Sequence, residues 1–478
     1  MLAIVVFLAA LALLGRHLDF SGYAHPDERN KVNQILRGEY NFHHPLLMIR
    51  STRIVADVLG KSSDFEAVKR IGRAGSVLFS AAALALLVFV TARVFGPWAG
   101  AGAGVFLLAN PHVFELAHYL KEDPGFLFGV SLSLFAMLVY TRHPGVPAAL
   151  ALGVAAAVAV SAKYAGGIVL PFCLFIVLAS AGRRGRDVML LLAGFAVACL
   201  VINLPAFLAL GSVSNKLGRE LTLLSGGAKG ISRSVPHGVY SAVYWSSATP
   251  VLIALLVAYG WTIYQRRFRL PAIEWVMILL PLGYVLILSF LPKTHHRYFL
   301  PCAALFACLS AAGLEPIRRL PYGRIAAVAL IVLSTAWQAP RLLSLESGFA
   351  RDHRQELVTL MRGTLPQGSV IFIDECLEPP EYEGLAVIRE KFPTIGSLEA
   401  LRARGVTHVV VTEKKYGAYF AKRSKPVPGK EEEFAQARAL YDDLIKRGLL
   451  LHEWKTGPNI YLGAPLRLYS IEAIPPAG

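Results

Sequence analysis

Acidic residues are scarce in the first 340 positions of this 478-residue chain, so their placement is informative. Asp27 and Glu28 sit in the string HPDE, and Glu122 and Asp123 in YLKEDP. A carboxylate so placed can take a proton from a hydroxyl as general base. Basic groups recur alongside: Lys121 adjoins the second acidic pair, Lys163 precedes Tyr164, and Lys293, Arg297 and Tyr298 fall in PKTHHRY. Lysine and arginine gathered near carboxylates suit an anion such as a phosphate and can stabilise charge on a departing one. Phosphate leaves without protonation, so one essential carboxylate suffices, whereas glycoside hydrolysis needs two. Taken singly, each residue has a plainer reading, because a loop carboxylate is solvated and a lone lysine snorkels to an interface.

The elements that must position these groups are membrane helices. Hydrophobic residues make up 55% of the chain and charged ones only 17%, against about 25% charged in soluble domains. That excludes a wholly soluble enzyme, a disordered chain and a disulfide-stapled secreted protein. A span needs about 20 apolar residues, which predicts about eleven of them. They lie near 1–16, 74–95, 98–118, 124–141, 145–162, 164–182, 188–210, 243–264, 271–291, 298–314 and 323–339. The first lacks a basic leader and a convincing cleavage site, so it reads as an uncleaved helix. Arginines fall in three short loops spaced two spans apart: Arg183, Arg184 and Arg186, then Arg266, Arg267 and Arg269, then Arg318, Arg319 and Arg324. The positive-inside rule places those loops in the cytoplasm. Both acidic pairs, Lys163, the PKTHHRY segment and everything after 340 then face the other side. These anchors also account for the net charge of +16 without nucleic acid.

Three longer segments fall on that outer side. In the loop 17–73, Leu46, Leu47, Ile54, Val55, Val58 and Leu59 repeat at helical spacing, with Arg50, Arg53 and Asp57 on other faces, as in a helix lying in the membrane interface. The loop 211–242, with Gly226, Gly227 and Gly230, reads as mobile. Residues 341–478 read as a separate domain. There Val370–Asp374, Thr407–Thr412 and Leu449–Trp454 look like strands, alternating with helices near 352–362, 397–404 and 431–447. The fold class is thus a polytopic α-helical membrane protein, residues 1–340, with a small extracytoplasmic α/β domain. Asp374 and Glu375 end a strand there, where a solvated loop is the plainer reading. Cys173, Cys199, Cys302 and Cys308 lie in apolar runs and Cys376 in a polar one, so no structural disulfide is expected. His25, His43, His44, His118, His295 and His296 all fall at the outer face. Asp, Glu and His suit a divalent metal ion, which stays open because no fixed ligand spacing decides it, and no other cofactor is indicated.

Carboxylates and cations on one side of an apolar bundle suit attack on a sugar carbon linked to a lipid phosphate. The alternative is a membrane transporter or lipid flippase with an accessory domain. It would need polar groups near mid-membrane, where these spans carry almost only Ala, Leu, Val, Ile, Gly and Phe.

An acidic pair soon after the first helix, a second acidic motif after the third and a late basic-Arg-Tyr motif resemble the GT-C superfamily of glycosyltransferases. The likeness is to the bacterial branch near protein O-mannosyltransferases and lipid A aminoarabinose transferases. It extends to His44-Pro45-Leu46, Arg73, Ala162-Lys163-Tyr164 and Arg297-Tyr298-Phe299-Leu300-Pro301, and covers about residues 1–340. The resemblance implies that Asp27 is the catalytic base, Glu28 its neighbour in the motif, and Asp123 an acceptor-binding or metal-associated carboxylate. It puts Lys293, Arg297, Tyr298 and Lys163 on the donor phosphate, with Lys121, Glu122, His44 and Arg73 binding acceptor or giving support. It further implies a polyprenyl-phosphate donor and inverting transfer of a hexose or pentose. The acceptor would be a lipid, glycan or protein at the outer face of a bacterial cytoplasmic membrane. The tail does not resemble the β-trefoil modules of eukaryotic mannosyltransferases, which weakens the case for a protein acceptor.

Overall fold

The computed structural model describes residues 1–20, 25–180, 184–226, 231–233, 249–291, 296–374, 385–422, 424–457 and 462–472. Lys293, His295, Glu375 and Cys376 lie outside them. Among the described residues six helical stretches are long and apolar enough to cross a membrane: Phe65–Val94 (α4), Glu122–Arg142 (α7), Arg184–Ile202 (α10), Ala272–Ser289, Arg297–Ile317 and Gly323–Gly348. Five apolar helices are shorter: Leu2–Leu14 (α1), Pro97–Leu108 (α5), Val146–Ala162 (α8), Tyr164–Ala179 and Pro250–Gln265. The last long helix runs on through 340 to Gly348.

Close packing in the bundle depends on small residues, as it must where lipid is as apolar as a side chain. Helix α8 lies between α7 and α10. A Cβ on Gly129 of α7 would sit 2.4 Å from the Ala159 Cα, and one on Gly153 of α8 would sit 2.0 Å from the Leu191 carbonyl oxygen.

The loop after α1 folds into two amphipathic helices, Pro26–Arg37 (α2) and Leu47–Val58 (α3). His25 caps α2 by accepting from the Asp27 amide, Pro26 opens it, and Gly38 ends it in the left-handed region at φ 69°. Helix α3 buries Met48, Ile49, Thr52 and Ala56 and leaves Ile54, Val55 and Val58 exposed. Arg53 reaches back to the Ile35 carbonyl at 2.7 Å. The short helix Pro111–Ala117 (α6) leads into α7. The segment expected to be a mobile loop from 211 begins instead as a helix, Leu210–Gly226. Val213, Leu217 and Leu221 recur there every four residues, so one turn stacks on the next.

Toward the carboxy terminus a five-stranded sheet has the order β3-β2-β4-β7-β6. Its strands are Val370–Asp374 (β2), Ala386–Glu390 (β3), His408–Thr412 (β4), Leu449–Trp454 (β6) and Leu466–Ser470 (β7). Parallel pairing joins β2 to β3 and β4, while β7 runs antiparallel to β4 and β6. Alternate residues serve opposite faces. Phe372, Val409 and Val411 pack under the helices Leu398–Ala403 and Glu431–Arg447, and Ile371, Ile373 and Val410 under His353–Thr364. A short antiparallel pair, Ile231–Arg233 (β1) with Ser424–Pro426 (β5), ties the bundle's later loop to this region.

Candidate active site

The motif residues converge where α2 meets the start of α7. Glu28 and Arg73 (on α4) are both wholly buried and form a two-pronged ion pair, 2.9 and 3.0 Å. Arg73 also donates to the Leu18 and Phe20 carbonyls at 3.0 Å and lies 3.7 Å over the Phe20 ring. Glu28 accepts from the Leu120 amide as well, at 3.1 Å. Both its oxygens are therefore engaged in fastening α2 to the bundle.

Asp27, one residue earlier, is 37% exposed and available to a reactant. It pairs with Lys121, and the Arg297 guanidinium lies 3.9 Å away. His25 bridges the two, 3.6 Å from the Asp27 carboxylate and hydrogen-bonded to Arg297 at 2.6 Å. Burial pushes the Asp27 carboxyl up, but Lys121, His25, Lys31 and Arg297 outweigh it and hold it well below the usual carboxylate range. Asp27 is thus an ionised carboxylate at the rim of a basic cluster.

The second acidic pair stands just behind. Glu122 bonds Lys31, with Lys121 at 3.6 Å and His44 at 3.5 Å. Burial drives the His44 imidazole down to about 3 against the pull of Glu122, so the ring is neutral. Asp123 accepts from Lys163 at 2.6 Å, and the Lys163 ammonium sits 4.3 Å over the Tyr298 ring. The Asp123 Oδ2 atom is buried and has no hydrogen-bond partner among the described residues. Nor has the hydroxyl of Tyr284, whose ring meets Phe126 edge-on at 5.8 Å. Among the described residues, Lys31, Arg73, Lys121, Lys163 and Arg297 are thus interleaved with Asp27, Glu28, Glu122 and Asp123, and cations so gathered suit an anionic ligand.

Beside His44 opens an apolar cavity of about 170 Å³. Phe42, Pro45, Tyr164, Cys199, Phe207 and Val213 are among its walls, a lining suited to a hydrocarbon chain. Asn203 closes the top, accepting from the Leu46 amide at 3.1 Å and donating to Ser161 at 2.7 Å.

Every site residue expected from sequence that lies within the described residues joins this network. Lys31, Tyr284 and Asn203 were not anticipated. Lys31 follows Asp27 by four residues, a one-turn spacing that could have flagged it. His118 lies apart from the cluster, stacked 4.2 Å from Phe349 and bonded to the Phe114 and Arg16 carbonyls. Among the described residues no three His, Cys, Asp or Glu side chains converge as a metal-ligand set.

A family described as dolichyl-phosphate-mannose-protein mannosyltransferase matches residues 57–220. Comparison with curated sequences finds no significant match. Among solved structures, the oligosaccharyltransferase of Archaeoglobus fulgidus in its apo form superposes with a TM-score of 0.60 at 14% identity, over 94% of this chain and 72% of that one. ArnT from Cupriavidus metallidurans bound to undecaprenyl phosphate gives 0.53 at 15% identity over 99% of both chains. The arabinofuranosyltransferase AftD from Mycobacteria gives 0.51 at 13% identity over 99% of this chain and 39% of that one. The chain thus shares the fold of these structures, and its residues 57–220 resemble the dolichyl-phosphate-mannose-protein mannosyltransferase family.

Proposed function

We propose that this protein is an inverting glycosyltransferase that takes a sugar from a polyprenyl-phosphate carrier and passes it to an acceptor at the outer face of the membrane. The acceptor oxygen attacks the anomeric carbon as the bond to the carrier phosphate breaks, and that bond's electron pair leaves with the phosphate. Asp27 takes the acceptor's proton. A carboxylate held this acidic is enough, because the attacking oxygen sheds its proton readily once it has bonded to carbon. Arg297, Lys163 and the Tyr298 hydroxyl stand where they can meet the phosphate, with the apolar cavity beside His44 receiving the first part of the lipid tail. Lys293, outside the described residues, belongs to the same segment. The undecaprenyl phosphate bound by the ArnT structure of the same fold supports a carrier of this class.

The outward assignment rests on the two ends of the helices. Glu122 and Asp123 open α7 at the site, whereas its far end carries Arg142, bonded to the Arg93 carbonyl, and Tyr140, bonded to Asp187 beside Arg186. Twenty residues of helix separate the two by about 30 Å. The arginine-rich ends are the cytoplasmic ones by the positive-inside rule.

One observation carries the proposal: a partly exposed carboxylate paired to a buried lysine, with an arginine 3.9 Å away, at the edge of a cluster of largely buried lysines and arginines. Asp27→Asn is expected to cut transfer by a factor on the order of 10²–10⁴, while purified protein still binds undecaprenyl phosphate. Full activity of that variant would remove Asp27 from the role of base.

A further inference from the structure

A second polar site lies on α2 itself. At about 100° per residue, Glu28, Lys31, Val32 and Ile35 share one side of the helix, and all four are buried. Asn30, Asn33, Gln34 and Arg37 share the other within an arc of about 120°, and Asp27 sits at the seam. Gly38, in the left-handed region, turns the chain so that Glu39 and Asn41 come back over that open side. The result is a cleft of about 190 Å³ lined by Asn30, Asn33, Gln34, Arg37, Glu39 and Asn41.

Its chemistry is specific. Gln34 holds the shape, accepting from the Asn41 amide at 3.0 Å and donating to the Asn30 carbonyl at 3.2 Å. The side chains of Asn30, Asn33, Arg37 and Glu39 make no hydrogen bond or ion pair among the described residues, so two amides, a guanidinium and a carboxylate are left for a ligand. No apolar side chain lines the cleft, which disfavours a peptide or lipid tail. Arg37 and Glu39 cancel in charge, which disfavours an anion. An amide donates and accepts side by side, as paired sugar hydroxyls require. The volume is below the roughly 300–1,000 Å³ of sites that enclose drug-sized ligands, so one sugar unit of a longer chain fits. At 1.5 Å per residue the middle of the cleft, near Asn33 and Gln34, lies about 10 Å along the helix from Asp27.

We infer that this cleft is an acceptor subsite and that the acceptor is a neutral glycan. Its non-reacting units lie along α2, and that remote binding holds the terminal hydroxyl at Asp27. The inference rests on the transferase reading above and names its acceptor class.

The test uses the full-length protein in nanodiscs, fluorescently tagged, on an array of neutral and anionic microbial oligosaccharides. Wild type should be retained on neutral glycans. The double variant Asn33→Ala/Arg37→Ala should lose about tenfold or more, as expected for one or two missing hydrogen bonds. Arg29→Ala, exposed about 90° round α2 from the cleft's centre and outside its lining, should match wild type. No retention of wild type, retention of anionic glycans alone, or equal retention of the double variant would each overturn the inference. Undecaprenyl phosphate binding by wild type is measured in parallel. Its loss beside intact glycan binding would overturn the donor reading and leave the cleft standing.

Discussion

Asp27 owes its charge to its neighbours, and that dependence can be tested. Its carboxyl titrates below the ordinary range because Lys121, His25, Lys31 and Arg297 outweigh the effect of burial. A base of depressed pKa is ionised throughout the neutral range and is lost only on strong acidification. In Lys121→Met the largest of the lowering charges is gone, so Asp27 should protonate at higher pH. The acid limb of kcat/KM is expected to move up, read from a pH–rate profile; an unmoved limb would mean that Asp27 does not set it. Glu28 makes the opposite case. It is out of a reactant's reach, and Glu28→Gln should act on stability by stranding the buried Arg73 charge, at about 3–5 kcal/mol. Glu28→Met/Arg73→Met should recover much of that loss in thermal unfolding of the purified protein. Sequence could point to both acidic pairs, because carboxylates are conspicuous in an apolar chain. It could not divide their labour, since HPDE does not say which of two adjacent acids turns inward. That follows from α2, where a 100° step sends Glu28 under the helix and leaves Asp27 at the seam.

Among the elements, α8 is the most constrained, because its neighbours approach to backbone contact. Gly153→Leu would drive a side chain into the Leu191 carbonyl and should abolish monodisperse protein in detergent-extract chromatography, whereas Gly75→Ala on α4, with open space beside it, should elute as wild type. Helix α3 was legible from its period, and β2, β4 and β6 from their apolar runs. Strand β3 was not, because an edge strand holding Arg389 and Glu390 lacks the buried run that marks its neighbours. Strand β7 alternates Leu466, Arg467 and Leu468, a two-residue period too short to stand out. The helix Leu210–Gly226 was hidden by the glycines that follow it.

Across the molecule, charge is sorted by end: arginines at one, the mixed ionic cluster at the other. If the cluster faces outward, an impermeant maleimide on intact cells should label Asn30→Cys and spare Arg267→Cys in a Cys376→Ser background. The reverse pattern would invert the topology. The exposed apolar strip of α3 has a further consequence. Ile54, Val55, Val58 and Leu59 are exposed and suit the membrane interface, while Arg53 grips the end of the helix that carries Asp27. On the proposed function, that arrangement moors the reacting carboxylate at headgroup depth. A fatty carrier then never has to be hauled into water, which would cost about 0.8 kcal/mol for every methylene exposed. Encounter becomes a two-dimensional event, governed by how densely the leaflet is stocked with carrier rather than by any bulk concentration.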